Sequence, residues 1–185
     1  FANYNAKTGL VKLLPRAFLY YQAAAKKTDY DNVFISSKMT SGFNASLNLD
    51  SMYLNINGIK KFWVTADFKA SITPVNGKVS LREDRDIIFN GALALGTFEY
   101  KGQNFEFDYT NFIIDLPQID SIAIRLPSSD GSYSKLQNRI TETKGKVYLN
   151  EPSNRSGNKV YEKYPYFISD SESTVYFSQP EILDG

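Results

Sequence analysis

The sequence predicts a mainly β domain: a multi-stranded, largely antiparallel sheet in a sandwich, roll or solenoid-like arrangement, preceded by one N-terminal helix. Three observations predict it. Apolar and polar side chains alternate from Ile87 to Leu126 almost without a break, and a period of two puts successive side chains on opposite faces of a strand. Short Gly, Asn, Asp and Pro clusters punctuate the pattern, as turns between short strands do. Aromatic residues make up 15% of the chain, including 13 Tyr and 13 Phe, and most fall on the apolar phase, where rings fill a half-buried pleated surface.

The first element is the exception. The cluster from Leu10 to Tyr21 is too short for a membrane span, carries Lys12 and Arg16, and is interrupted by Pro15. Proline suits the first turn of a helix, so the spacing predicts a helix from Pro15 through Ala23, Ala24 and Ala25 to Lys26 and Lys27. Leu14, Phe18, Tyr21 and Ala25 then share a stripe that packs on a sheet face or caps one end of it. The two lysines complement the helix dipole. Residues 1–30 are thus read as a helical segment, 31–126 as the main sheet, and 127–185 as a loop-rich extension with short strands.

Strand signals follow in succession. Phe43, Ala45, Leu47 and Leu49 alternate, and Met52, Leu54 and Ile56 alternate in the opposite phase, which predicts a bulge or bend near Asp50-Ser51. Asn57-Gly58 marks a turn. Phe62, Val64, Ala66, Phe68, Ala70 and Ile72 read as the next run, ended by Pro74-Val75-Asn76-Gly77, whose Asn-Gly pair predicts a tight hairpin into Val79 and Leu81. Lys101-Gly102-Gln103-Asn104 reads as another hairpin tip. Beyond Pro127 come a polar loop at Ser128–Ser132, strand signal at Val147–Leu149, a second loop from Asn150 to Asn158, and short aromatic pieces at Tyr164–Phe167 and Val175–Phe177 that read as edge strands.

Composition narrows the chemistry. At 185 residues the chain suits one domain, and 21 basic against 20 acidic residues leave its charge balanced, with no reason to expect a nucleic-acid partner. There is no histidine and no cysteine. The commonest general base, the Ser-His-Asp and Cys-His arrangements, disulfides, and thiolate or imidazole metal sites are therefore excluded. No phosphate-loop or dinucleotide fingerprint is present, and Gly91, Gly96 and Gly102 stand among strands, where glycine marks bulges or turns. Glu99, Glu106 and Asp108 alternate with apolar residues and so belong on the solvent face; with Asp115 they are the carboxylates a glycosidase reading would need. Oxygen-rich runs at Ser128–Ser132 and Ser169–Ser173 lack calcium-loop spacing and read as solvated loops. No catalytic residue, metal site or cofactor is predicted.

Trp63 falls out of phase between Phe62 and Val64, which makes it the best candidate for an exposed or interface ring; Phe18 and Tyr21 on the expected helix are the other candidate contacts.

One set of residues carries a resemblance. The run Arg85–Gly91, continuing through Gly96–Gly102, Phe105–Tyr109, Phe112–Leu116 and Ile119–Ser121, resembles a segment of very large, uncharacterised envelope-associated proteins of Bacteroidetes. Asn150–Gly157 with Tyr164-Pro165 is similar to the same family's "P-N-K-S-G … Y-P" stretch, departing from it at Ser153 and Arg155. The resemblance covers the chain from about Leu10 to the end. It implies an internal module, excised from a larger exported protein, that serves as a non-catalytic scaffold or assembly component outside the cytoplasm, in the periplasm or at the outer membrane. A start at Phe1 rather than methionine agrees with a processed or excised segment. Asp50-Ser51-Met52 and Asp120-Ser121-Ile122 fit the Asp-Ser-apolar pattern of Bacteroidetes O-glycosylation, which makes Ser51 and Ser121 candidate acceptors.

The expected partners are neighbouring domains of the parent protein. The alternative is a binding domain for an amphipathic ligand, either an envelope lipid in a β-groove or a glycan on exposed aromatics. An interior packed by Phe98, Phe105, Phe107, Phe112 and Ile114 argues against the lipid form; a planar array of exposed rings would favour the glycan form.

Overall fold

The computed structural model describes residues 2–5, 10–13, 19–22, 33–65, 69–127, 133–141, 143–172 and 174–176. They form β1 (Ala2–Asn5), β2 (Leu10–Leu13), β3 (Leu19–Gln22), β4 (Phe34–Ser37), β5 (Ala45–Asn48), β6 (Tyr53–Ile56), β7 (Phe62–Trp63), β8 (Ala70–Leu81), β9 (Ile87–Leu95) and β10 (Phe98–Asp108). After these come β11 (Ile113–Pro127), β12 (Tyr133–Thr141), β13 (Thr143–Tyr148), a 3-10 turn at Pro152–Asn154, β14 (Tyr166–Ser169) and β15 (Thr174–Tyr176). Every strand pairing is antiparallel. The mainly β, antiparallel expectation holds.

Four long strands, β8 to β11, organise the sheet, and each pairing breaks register at the same level. The shifts fall between Pro74 and Val79 where β8 meets β9, between Gly102 and Phe105 where β10 meets β9, and between Lys101 and Gly102 where β10 meets β11, with a further one between Leu116 and Ile119 where β11 meets β13. A bulge bends its strand, so a row of them creases the whole sheet. On the side of the crease that carries the Gly96 turn, the order is β3-β4-β7-β8-β9-β10-β11-β12-β15. On the side that carries the Phe112 turn, it is β1-β2-β5-β6-β8-β9-β10-β11-β13-β14.

The creased sheet folds over on itself. Tyr100 on β10 and Phe167 on β14 bring their ring centroids to 5.0 Å, although β11 and β13 stand between those strands. Paired strands lie about 4.8 Å apart, so three steps in the plane span roughly 14 Å; contact between the rings needs the two halves face to face. Inward positions from both halves accordingly form one cluster, including Ile72, Leu93 and Tyr100 of the Gly96 half and Val79, Ile87, Phe107, Phe112, Ile114 and Leu116 of the Phe112 half. Phe105, Phe107 and Phe112 are at most 1% exposed. Phe98 differs: 40% exposed, it stands outside this packing.

Two strand glycines serve the core directly. A Cβ on Gly102 would strike the Gln118 carbonyl and the Phe105 ring, and one on Gly145 would strike the Ile168 carbonyl and the Phe167 ring. Each ring lies over a glycine, covering backbone that no side chain of its own protects.

Several expectations are corrected. The predicted helix is not formed: Leu19–Gln22 is a strand paired with β4, Tyr21 opposite Ile35. The stripe Leu14, Phe18, Tyr21, Ala25 has helical spacing, yet Leu19-Tyr20-Tyr21 is rich in strand formers, and a short helix has little stability of its own to set against a paired strand. The rest of the predicted helix, residues 14–18 and 23–27, lies outside the described residues, which contain no α-helix.

The two expected hairpins at Pro74–Gly77 and Lys101–Asn104 are bulges within β8 and β10. Asn76 and Gly77 do take the left-handed backbone that an Asn-Gly pair favours, with φ of 54° and 65°, but they kink the strand without reversing it. Conversely, the bend expected at Asp50-Ser51 is a full hairpin turn between β5 and β6. The run from Phe62 to Ile72 is also a hairpin, with Phe62 opposite Ile72. Alternation alone cannot separate these cases, because inward parity survives a tight reversal.

Candidate functional site

The candidate contacts predicted from sequence fall near one another only in part. Tyr21 on β3 and Trp63 on β7 lie on strands that flank β4, while Phe18 lies outside the described residues. Trp63 is partly exposed between the buried Phe62 and Val64, with the Lys61 ammonium 4.3 Å from its ring centre. Of the candidate acceptors, Ser51 is exposed in the β5–β6 turn, where its amide and that of Asp50 donate to Asn48 Oδ1. Ser121 is half-buried in β11, opposite Lys101.

The carboxylates face outward and are paired with cations or amides. Glu106 Oε1 lies 2.5 Å from Arg82, Asp115 3.7 Å from Lys146, and Glu99 3.7 Å from Lys101. Asp108 accepts from the Asn111 amide and side chain at 2.8 and 2.7 Å. Asp86 accepts from the Tyr109 amide at 2.9 Å. Partial burial, reinforced by the charges of Asp84, Asp108 and Glu106, raises its pKa to about 6.

A run of tyrosines crosses the outer side of β13 and β14. Tyr148 and Tyr166 stack at 4.8 Å with 12° between their planes, Tyr164 follows at 5.3 Å, and Tyr161 meets Tyr164 edge-on at 6.5 Å. Glu151 ties the run to the loop: it accepts from the Tyr164 hydroxyl and sits 2.8 Å from Lys163. A sugar needs a ring face to stack on, and Tyr166 spends both of its faces on Tyr148 and Tyr164, so the rings form a column and not a coplanar array. The run is therefore not the planar platform a glycan would use.

A cleft of about 590 Å³ opens where the folded halves part. Leu95, Phe98, Tyr100, Ile122 and Ile140 line it from the Gly96 half, and Pro165, Tyr166 and Phe167 from the other. Gly96, Thr97, Ser169 and Lys69 complete the described wall. Its apolar character follows from strand parity: Tyr100 and Ile122 point inward where the core would continue, and the halves diverge before it closes. Tyr100 is 3% exposed, and burial raises its pKa to about 12. It stays a neutral donor. Sequence reasoning missed this residue because its parity marks it as core; a hydroxyl at a core position was the available signal.

A second concavity, about 530 Å³, follows the outside of the crease past Pro74, Gly91 and Gly102. It is a product of the bulges. Among the described residues no group of three or more acidic side chains is placed to hold a metal, and no helix is long and apolar enough to cross a membrane.

No protein-family model, curated protein or solved structure matches the chain.

Proposed function

We propose that this chain is a non-catalytic structural module of a larger exported cell-envelope protein, joined to its neighbours through the open ends of its sheet. The observation that carries the reading is a filled interior combined with an unclosed sheet. Core rings at most 1% exposed occupy the fold between the halves. Meanwhile, among the described residues, β1 pairs only with β2, β3 with β4, β14 with β13 and β15 with β12. Strand edges are templates for further pairing, and a protein that keeps them uses or covers them. The outward carboxylates support the non-catalytic part: each named one is held by a cation or an amide, and they do not converge on the cleft. An address outside the cytoplasm follows from the resemblance to Bacteroidetes envelope proteins and is part of the same proposal.

Sedimentation velocity over a concentration series tests it. The module should self-associate as concentration rises, and attaching the flanking segments of its parent should suppress that association and raise Tm. A strictly monomeric module whose Tm is indifferent to its flanks contradicts the reading.

A further inference from the structure

We propose that the free edge of β14 receives an extended peptide strand from a neighbouring module, and that the inward side chains of that strand fill the cleft between the two halves. This deepens the assembly reading and rests on it, naming one edge and the partner that fits it. The edge supplies the first argument. Asp170 donates its amide to the Lys144 carbonyl at 2.8 Å, which makes Lys144 and Asp170 a hydrogen-bonded pair and, two residues on, Lys146 and Ile168 another. Such pairs alternate with pairs that exchange no bond. Phe167, opposite Val147, and Ser169, opposite Gly145, therefore turn their N–H and C=O groups away from β13. Among the described residues no strand pairs on that side. Phe167 is only partly buried and Ser169 is exposed, so their backbone groups stand open to a partner.

The cleft decides which strand the edge takes. Pro165, Tyr166, Phe167 and Ser169 all line it, although neighbouring side chains in a strand leave opposite faces; what they present in common is the edge itself. Across from them stand Leu95, Phe98 and Ile140. The Phe167 ring points inward, against Tyr100. A strand laid along β14 thus directs its residue opposite Phe167 into the cleft, and its neighbours outward beside Tyr166 and the 48% exposed Ile168. It must be apolar at alternate positions. A lipid chain or a sugar would leave the backbone groups of Phe167 and Ser169 unpaired, whereas a peptide satisfies them. Asp170 and Glu172, exposed just past the edge, add a charge preference. In the antiparallel sense that β14 and β15 already use, they meet the N-terminal end of the partner strand, which is therefore basic.

The test titrates the full chain, by calorimetry, with the peptide Lys-Val-Thr-Phe-Thr-Val-Thr, acetylated and amidated at its ends. It should bind saturably, one per chain. N-methylation of its Phe, whose amide faces the Phe167 carbonyl, should weaken binding about tenfold, whereas N-methylation of the Thr that follows, whose amide faces away, should change affinity by less than about twofold. Exchanging the peptide's Phe for Ser should also weaken it about tenfold, through loss of one buried ring. On the protein, Ser169→Pro removes an outward amide and keeps the pairing with β13, so it should weaken the peptide about fivefold. Ser169→Ala, which gives up only the hydroxyl bonds to Thr143, Lys144 and Ser171, should bind as the parent does. Absence of saturable binding, or equal affinity of the two N-methyl peptides, overturns the proposal. A chain that self-associates in the sedimentation series yet ignores the peptide contradicts this inference and leaves the assembly reading standing. One that binds the peptide but stays monomeric, with a Tm indifferent to its flanks, supports the edge assignment and contradicts the assembly reading.

Discussion

Gly102 and Gly145 show how single residues set this fold. Each lies under an aromatic ring and against a neighbouring carbonyl, so an added methyl has nowhere to go: at Gly102 it meets Gln118 and Phe105, at Gly145 it meets Ile168 and Phe167. Gly102→Ala and Gly145→Ala should each destabilise by roughly 3 kcal/mol, through displaced backbone and a tilted ring, read as a lower urea midpoint. Alanine tolerated at both positions would mean that the rings are not seated there. Asp86 gives a prediction of the opposite sign. Its pKa rises from 3.8 to about 6 on folding, so the folded state holds the proton more tightly than the unfolded chain does. Its contribution is full below pH about 4 and is lost as pH rises through about 6. Asp86→Asn keeps an oxygen for the Tyr109 amide and removes the charge. It should raise Tm by about 1–2 °C at pH 7.5, an effect reduced by solvent screening, and leave Tm unchanged at pH 4. The reverse pH dependence would contradict this account of Asp86.

At the scale of elements, the row of bulges decides the architecture. Asn76 and Gly77 hold left-handed backbone inside β8, which asparagine and glycine tolerate and β-branched residues do not. The double variant Asn76→Val, Gly77→Val should cost roughly 2–4 kcal/mol, with the denaturant midpoint falling and the slope unchanged. An unchanged midpoint would show that the crease does not depend on those two dihedral pairs. This is also where sequence reading reached its limit. The alternation Ile87, Phe89, Leu93, Leu95 correctly marked the inward face of β9, and Trp63, out of phase in the sequence, is partly exposed on β7. Asn76-Gly77 announced its backbone geometry but not its setting, because a hairpin and a mid-strand bulge demand the same positive φ. Tyr20-Tyr21 carried both a helical stripe and strand propensity, and the pairing with Phe34–Ser37, a long-range contact, decided between them.

For the whole molecule, the consequence of the crease is one core shared by two halves of a single sheet. Phe107 touches both Tyr109 and Phe112, at ring separations of 6.3 and 5.7 Å, and is fully buried. Phe107→Ala should therefore cost about 3–5 kcal/mol, and calorimetry should show one transition, since a shared core does not melt by halves. The candidate cleft belongs to this scale as well. It exists because the halves part beside Tyr100, a fact of tertiary folding that no local pattern in the chain announces. The most direct measurement is a nuclear Overhauser experiment between the Tyr100 and Phe167 rings. The folded-over sheet predicts strong cross-peaks, as expected of centroids 5.0 Å apart. Rings that show none, with both side chains open to solvent, would mean that the halves do not meet and that the sheet is extended.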